Sequence, residues 1–427
     1  MSQAAIDYSF REAIEDFKYT QHVIALAVQG DLFSGFGAGP VGAAAGLEYR
    51  MDNGNVTHGD VPYYEQFGLS FGLDYSGSIR VLETFGEVNV PLLRDRGLAK
   101  LLELNGAVRH SRNTSIDGAT HASRTVNALS WKFGAVYEPT DWLRLRGTRS
   151  RDIRAAGFRE LFQLQLPSDP TSAQGRVNNP FNGNALDTMP ILGGGNFRLN
   201  PEVADTTTVG VVLRPFGGRL SLSADWFEIR IKDAVTTPSG QQIVDNCFNS
   251  SAFCDRITFN PGVANRRDIS FIDSRQINVG SFTSRGVDLE LDYTLPLNSV
   301  SSAWDGRINW RIVGTHLYDL LIQGAPGTNP INFAGQSGPN APLGDFNSSP
   351  KWMLNSTLTA DVGRVTAVLQ ARHIGSGALN RALVGPDDPS YDPSRINSIS
   401  HNRVEARTYF TLAATYRLPL GNGVEQF

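Results

Sequence analysis

The residues able to do chemistry are spread along this 427-residue chain with little sign of convergence. Its two cysteines, Cys247 and Cys254, are separated by six residues in a Gly-, Asn- and Pro-rich stretch. That is not the usual zinc spacing, and no His lies nearby. A small loop-closing disulfide formed in an oxidising compartment is the expectation, with two free loop thiols as the alternative. His22, His58, His110, His121, His316, His373 and His401 are dispersed without i,i+4 or Cys partners, so no metal site and no cofactor are expected. Gly68-Leu-Ser70-Phe-Gly72 fits the spacing of a hydrolase nucleophile elbow, which needs a strand–turn–helix context. The residues that follow, Leu73 to Ser78, are turn-like. Gly35-Phe-Gly37-Ala-Gly39-Pro40 reads as a turn between strands, with no helix after it to receive a phosphate. No catalytic set emerges, and an enzyme is not expected.

Two charged groups carry more information. Asp288, Glu290 and Asp292 alternate with apolar residues, which puts them in line on one strand face, about 7 Å apart. Carboxylates in line lack the facing geometry of an acid/base pair and suit a wet wall that lines a lumen. Arg144, Arg146, Arg149, Arg151 and Arg154 form a basic cluster at the end of a strand. Arg144 and Arg146 are assigned to the lumen wall. Arg151 and Arg154, with Asn196, are assigned to a ligand-facing loop, where an anionic ligand or lipopolysaccharide is the partner such arginines would meet; a salt-bridged wall is the plainer alternative for the whole cluster. Over the chain, 38 basic against 42 acidic side chains give a net charge of −4, which argues against nucleic acid.

The elements that position these groups are strands. Val287, Leu289, Leu291, Tyr293 and Leu295 alternate with Asp288, Glu290, Asp292 and Thr294, and the same period of two recurs along the chain. Thirteen strands are placed at 22–33, 41–51, 79–90, 99–110, 126–138, 141–150, 205–214, 219–231, 283–295, 304–318, 351–361, 364–373 and 406–418. From residue 126 onward, short turns at 138–141, 215–218, 296–303 and 361–364 alternate with long polar loops at 151–204, 232–282, 319–350 and 374–405. A soluble sandwich disfavours so many long structureless loops. An antiparallel transmembrane β-barrel predicts them, with short periplasmic turns and long extracellular loops. Tyr137, Trp142, Trp304, Trp352 and Tyr416 fall at strand ends, as membrane interfaces favour. In 219–231 the apolar phase flips between Trp226 and Phe227, which implies a bulge or an exit from the membrane. Gly193-Gly-Gly195 reads as a flexible loop tip.

Several stretches then resemble, in order, the β-barrel portion of the TonB-dependent outer-membrane receptors. They include Gly30-Asp-Leu through Gly46-Leu-Glu-Tyr-Arg50, Phe85-Gly-Glu-Val-Asn-Val-Pro-Leu-Leu93, and Pro139-Thr-Asp-Trp-Leu-Arg-Leu-Arg-Gly147 with Glu160-Leu-Phe162. Asn200-Pro-Glu-Val-Ala-Asp205, Asp225-Trp-Phe-Glu-Ile-Arg-Ile-Lys-Asp233 and Ser284-Arg-Gly-Val-Asp-Leu-Glu290 continue the series. The resemblance implies a plugged barrel of about 22 strands. Residues 1–427 are therefore read as one partial barrel domain. Met1 to Tyr8 has neither a basic n-region nor an apolar h-region, and signal peptide, TonB box and plug are read as absent.

The function implied is an outer-membrane receptor for TonB-energised uptake of a scarce large solute: a siderophore, haem, cobalamin or oligosaccharide. Its implied partners are outer-membrane lipid and lipopolysaccharide, its own plug, TonB, and the extracellular ligand. A passive outer-membrane porin is the rival reading, distinguished by whether a plug and TonB box accompany the barrel.

Overall fold

A computed structural model describes Gln3 and residues 14–58, 73–97, 99–165, 167–168, 170, 175–261, 267–325, 328–338, 348–395, 397–420 and 424–426. Thirteen strands of a fourteen-stranded sheet follow one another in strict sequence order, each antiparallel to the next, and the short segment Ile331–Asn332 pairs beside Gly306–Gln323. They are β1 Glu15–Phe33, β2 Val41–His58, β3 Tyr75–Arg96, β4 Ala99–Asp117, β5 Ser123–Thr140, β6 Leu143–Arg154 and β7 Glu202–Leu213. There follow β8 Leu220–Thr236, β9 Ile277–Pro296, β10 Gly306–Gln323, β11 Trp352–Val362, β12 Val365–Ile374 and β13 Arg407–Tyr416. Every strand expected from the periodicity is present. No helix of the described residues is long and apolar enough to cross a membrane, which says nothing of strands.

Several strands run past the expected boundaries at the long-loop end; β2 continues to His58 and β8 to Thr236. The apolar/polar alternation stops there, so the sequence signal ends before the backbone pairing does. β6 likewise continues to Arg154, which places Arg151 and Arg154 in a strand and corrects their assignment to a loop. Asp205 and Glu202 on β7 extend the ladder by taking these two guanidinium groups.

The register assigns the two faces. On the outer face Leu145, Val211, Ala224, Leu289 and Ile312 follow one another across directly paired positions or one residue row away. On the other face Arg146, Gly210, Asp225, Asp288 and Thr315 form a single cross-strand row. Large apolar side chains stand exposed on the outer face, among them Leu129, Phe133, Val209 and Leu412. Water would oppose such a surface, whereas a bilayer accepts it. Pairing between β7, β8 and β9 runs unbroken through Trp226 and Phe227, and the irregularity of β8 lies between Ile231 and Ala234. The flip of apolar phase is therefore an exit of the outer face from its apolar band, not a bulge at the aromatic pair. β1 and β13 are the edges of the sheet, each paired on one side among the described residues.

Apolar burial concentrates in two clusters at the long-loop end. In the first, α1 (Phe158–Phe162) folds back onto the inner face of β2 and β3 and packs Phe158, Leu161 and Phe162 on Val56, Tyr75, Ile79 and Val81. Gly54 and Gly77 make this possible: a Cβ at either would run into the rings of Phe158 and Phe162. The second cluster unites two loops. α2 (Gly240–Ser250) buries Ile243, Val244 and Cys247 against Val177 and Met189 of the β6–β7 loop and Ile257, Ile269 and Ile272 of its own. Ser239 and Gln242 close its N-terminus reciprocally, as a capping box does. These loops, expected to be structureless, are thus a packed unit.

Candidate functional site

Two surfaces concentrate the polar chemistry: the inner wall and the cluster of loops above it. On the wall, Arg144, Arg146, Asp288, Glu290 and Asp292 share one face of the sheet. Arg146 meets Asp225 in a bidentate pair, Nε to Oδ1 at 2.7 Å and Nη2 to Oδ2 at 2.5 Å. The pair spans the whole width of β7, passing over Gly210, where a Cβ would collide with the Asp225 carboxylate. Asp288 accepts from Thr315 Oγ1 at 2.7 Å, Glu290 pairs with Arg311 at 2.7 Å, and Asp292 accepts from Asn309 Nδ2 at 3.1 Å. Arg144 is held by Glu138. Charged groups linked strand to strand in this way hold a wall in shape, and their carboxylates are engaged rather than poised for proton transfer. Farther round, Arg50, Glu83, Arg109, Asn113 and Asp152 line a cavity of about 360 Å³ on the same face.

Above the wall, the residues assigned to a ligand-facing loop prove to be internally engaged. Arg151 pairs with Asp205 at 2.8 Å on the outer face, and Arg154 holds both Glu160 and Glu202. Asn196 donates to the Gln276 carbonyl at 2.9 Å and accepts from the Arg198 amide, which ties the β6–β7 loop to the start of β9. Gly193, Gly194 and Gly195 are not a flexible tip. Gly195 donates to the Gln163 carbonyl at 2.8 Å, and a Cβ there would press on the backbone of α1. Cys247 and Cys254 are joined as a disulfide that closes the C-terminal end of α2. Gly68 to Gly72 lies outside the described residues.

A further loop-borne site lies between the β10–β11 and β12–β13 connections. Lys351, Arg381, Arg403, Asp387, Asp388 and Asn402 are among the residues that line a cavity of about 520 Å³ there. Asn402 fixes its floor by donating to the carbonyls of Asn380 and Leu383, each at 3.0 Å. Arg381 is anchored at its backbone by Gln336 Oε1 at 3.0 Å. Three cations, two carboxylates, the Asn402 amide and the Ser376 hydroxyl around one hollow can hydrogen-bond a polar, oxygen-rich solute. Sequence reasoning missed this set. Lys351 and Arg403 lie more than fifty residues apart, and only the length of the two loops marked the region.

A polar-walled antiparallel sheet with an apolar outer face and long structured loops at one end defines a transmembrane β-barrel protein. The family model described as TonB dependent receptor-like, beta-barrel matches residues 3–425, and the chain belongs to that family, whose members are receptors and transporters of the outer membrane. Among solved structures, the ferric citrate transporter FecA in its unliganded form is 12% identical, with a TM-score of 0.54 over 96% of this chain and 48% of that one. The FrpB iron transporter from Neisseria meningitidis (F5-1 variant) is 10% identical, with a TM-score of 0.53 over 94% of this chain and 49% of that one. At such identities the likeness is one of fold. The chain spans about half the length of the solved structures it matches. Comparison with curated proteins finds no match.

Proposed function

We propose that this chain is the partial barrel domain of an outer-membrane receptor that takes up a scarce, large solute with energy supplied through TonB. The solute is a siderophore, haem, cobalamin or oligosaccharide in this reading, met first by the polar groups around the loop cavity. The observation that carries the reading is the family match over nearly the whole chain, joined to a charged inner wall topped by a polar cavity between two long loops. In this reading the short turns face the periplasm and the long loops the exterior. The wall faces a plug domain carried elsewhere in the full-length protein, and the loops supply the first contact with the solute. Structural neighbours described as iron transporters favour an iron complex first among the classes to be tested.

The test is growth and uptake in a Gram-negative host that lacks its own receptors for these solutes and expresses the full-length protein, supplied with each solute class in turn, with and without TonB. Uptake of one class that disappears without TonB is the expected result. Uptake that persists without TonB, and scales with solute size rather than identity, would replace this reading with a passive porin.

A further inference from the structure

Asp74 and Glu15 close on the two ring nitrogens of one buried imidazole. His58 ends β2 on the long-loop side, and its side chain is 6% exposed. Its Nδ1 lies 3.1 Å from Asp74 Oδ1, and its backbone amide donates to the same oxygen at 2.8 Å. Its Nε2 lies 3.4 Å from Oε2 of Glu15, the residue that opens β1 and pairs with His58 across the two strands. The ring thus joins the start of β1 to the residue just before β3.

The connection reaches α1. Arg159 holds the other Glu15 oxygen, Oε1, at 2.8 Å and sets its guanidinium over the ring of Phe17. Phe17 and Tyr19 of β1 in turn pack on Phe158. The amides of Gly195 and Asn196 donate to the carbonyls of Gln163 and Glu160, so a later stretch of the β6–β7 loop rests on α1.

The charge of the ring decides how much it can hold. A neutral imidazole has one N–H, so it donates to one carboxylate and turns a lone pair toward the other. A protonated imidazole donates on both sides and places its charge between two negative groups. Carboxylates and guanidinium groups keep their charge across about pH 5.5–8, where an imidazole changes its own. Asp74 is held below the ordinary carboxylate range by the His58 backbone amide and then by the ring. Burial pushes the Tyr75 hydroxyl up, so it stays neutral. That leaves His58 as the titrating member of a set made of Glu15 from β1, Asp74 before β3, Tyr75 from β3 and Arg159 from α1.

We propose that Asp74, His58 and Glu15 form a proton-operated clasp, which closes as pH falls through the imidazole range and slackens as pH rises. Closed, it fixes the loop ends of β1, β2 and β3 to one another. Through Glu15 and Arg159 it also steadies α1 and the loop that rests on it. Slackened, it releases one carboxylate, and the start of β1 and α1 open more often. The device acts on the barrel's own loop end and depends neither on the solute nor on TonB.

The experiment follows amide hydrogen exchange in the full-length protein, purified in a neutral detergent. It is run at about pH 5.5 and about pH 8, the two ends of the imidazole range, with each rate corrected for intrinsic exchange. The clasp predicts exchange about fivefold slower at the lower pH in residues 15–19 and 157–163, an effect held down by the partial exposure of Glu15. β11 and β12 should show no difference. His58→Gln, neutral at both values, should exchange at the faster rate throughout, and Glu15→Gln should lose the pH difference as well. His121→Gln, in the turn between β4 and β5, should keep it. Heat-modifiable mobility verifies that each variant is assembled; if His58→Gln does not assemble, Glu15→Gln decides. Equal corrected exchange at the two pH values in the unaltered protein would overturn the clasp, as would a pH difference that survives in His58→Gln or Glu15→Gln. Solute uptake is not read, so failure of the receptor account leaves this result standing.

Discussion

Arg146, Gly210 and Asp225 show how a single missing side chain permits an ion pair to reach across a strand. Replacing Gly210 with Val puts a side chain where the Asp225 carboxylate now lies, so the pair must open. Because Arg146 is about half exposed, most of the penalty comes from steric displacement and not from lost Coulomb energy. Gly210→Val is expected to destabilise the assembled barrel by roughly 1–3 kcal/mol, read as a lower midpoint of heat-modifiable mobility. Asp273, in the β8–β9 loop, gives a pH-dependent counterpart. Burial pushes its carboxyl up, but the Arg275 side chain and backbone amide, with Arg256 nearby, outweigh that and hold it below the ordinary value. A carboxyl lowered by folding contributes stability that is complete above its unfolded value, about 4, and is lost as pH falls below it. Protection of the loop against proteolysis should therefore decline below about pH 4, and Asp273→Asn should flatten that decline.

Each strand presents one face to lipid and one to the lumen, so neighbouring residues should respond to charge in opposite ways. Leu291→Arg is expected to cost roughly 2–4 kcal/mol near the bilayer midplane, whereas Glu290→Arg on the inner face should assemble nearly normally. Equal loss of the folded band in both would contradict the assignment of faces. The disulfide belongs to the loop unit, not to the sheet. Cys254→Ser is expected to weaken the α2 unit by roughly 2–3 kcal/mol through freedom regained in its unfolded state. Hydrogen exchange should quicken in 240–276 and stay unchanged in β8 and β9. The strands were legible because lipid on one side and water on the other impose a period of two that lasts as long as the apolar band. Their extensions were not, since beyond Trp226 the outer face turns to Glu228 and Arg230 while the backbone pairing continues. The wall residues Asp288, Glu290 and Asp292 could be placed from alternation alone. The loop cavity could not, because nothing local ties Lys351 to Arg381 and Arg403. Gly193 to Gly195 misled for a related reason: glycine marks close backbone approach as readily as freedom, and only the folded position of α1 tells which.

At the scale of the molecule, the sheet, its two faces and its loop-bearing end make sense together only in a membrane. Ile24 on the edge strand β1 and Leu412 on β13 are 75% and 76% exposed. Edges this long and apolar are a liability in water unless they are paired or covered, as closure of a barrel does. The orientation of that barrel is the claim on which the receptor reading depends, and an epitope accessibility experiment addresses it most directly. One tag is inserted between Ser394 and Arg395, exposed residues of the β12–β13 connection. The other is inserted at Gly217 in the turn between β7 and β8. Antibody should label the first tag on intact cells expressing the full-length protein, and should label the second only after the outer membrane is opened. Labelling of the Gly217 tag on intact cells, with the Ser394 tag hidden, would show that the loops face inward and would contradict the receptor account.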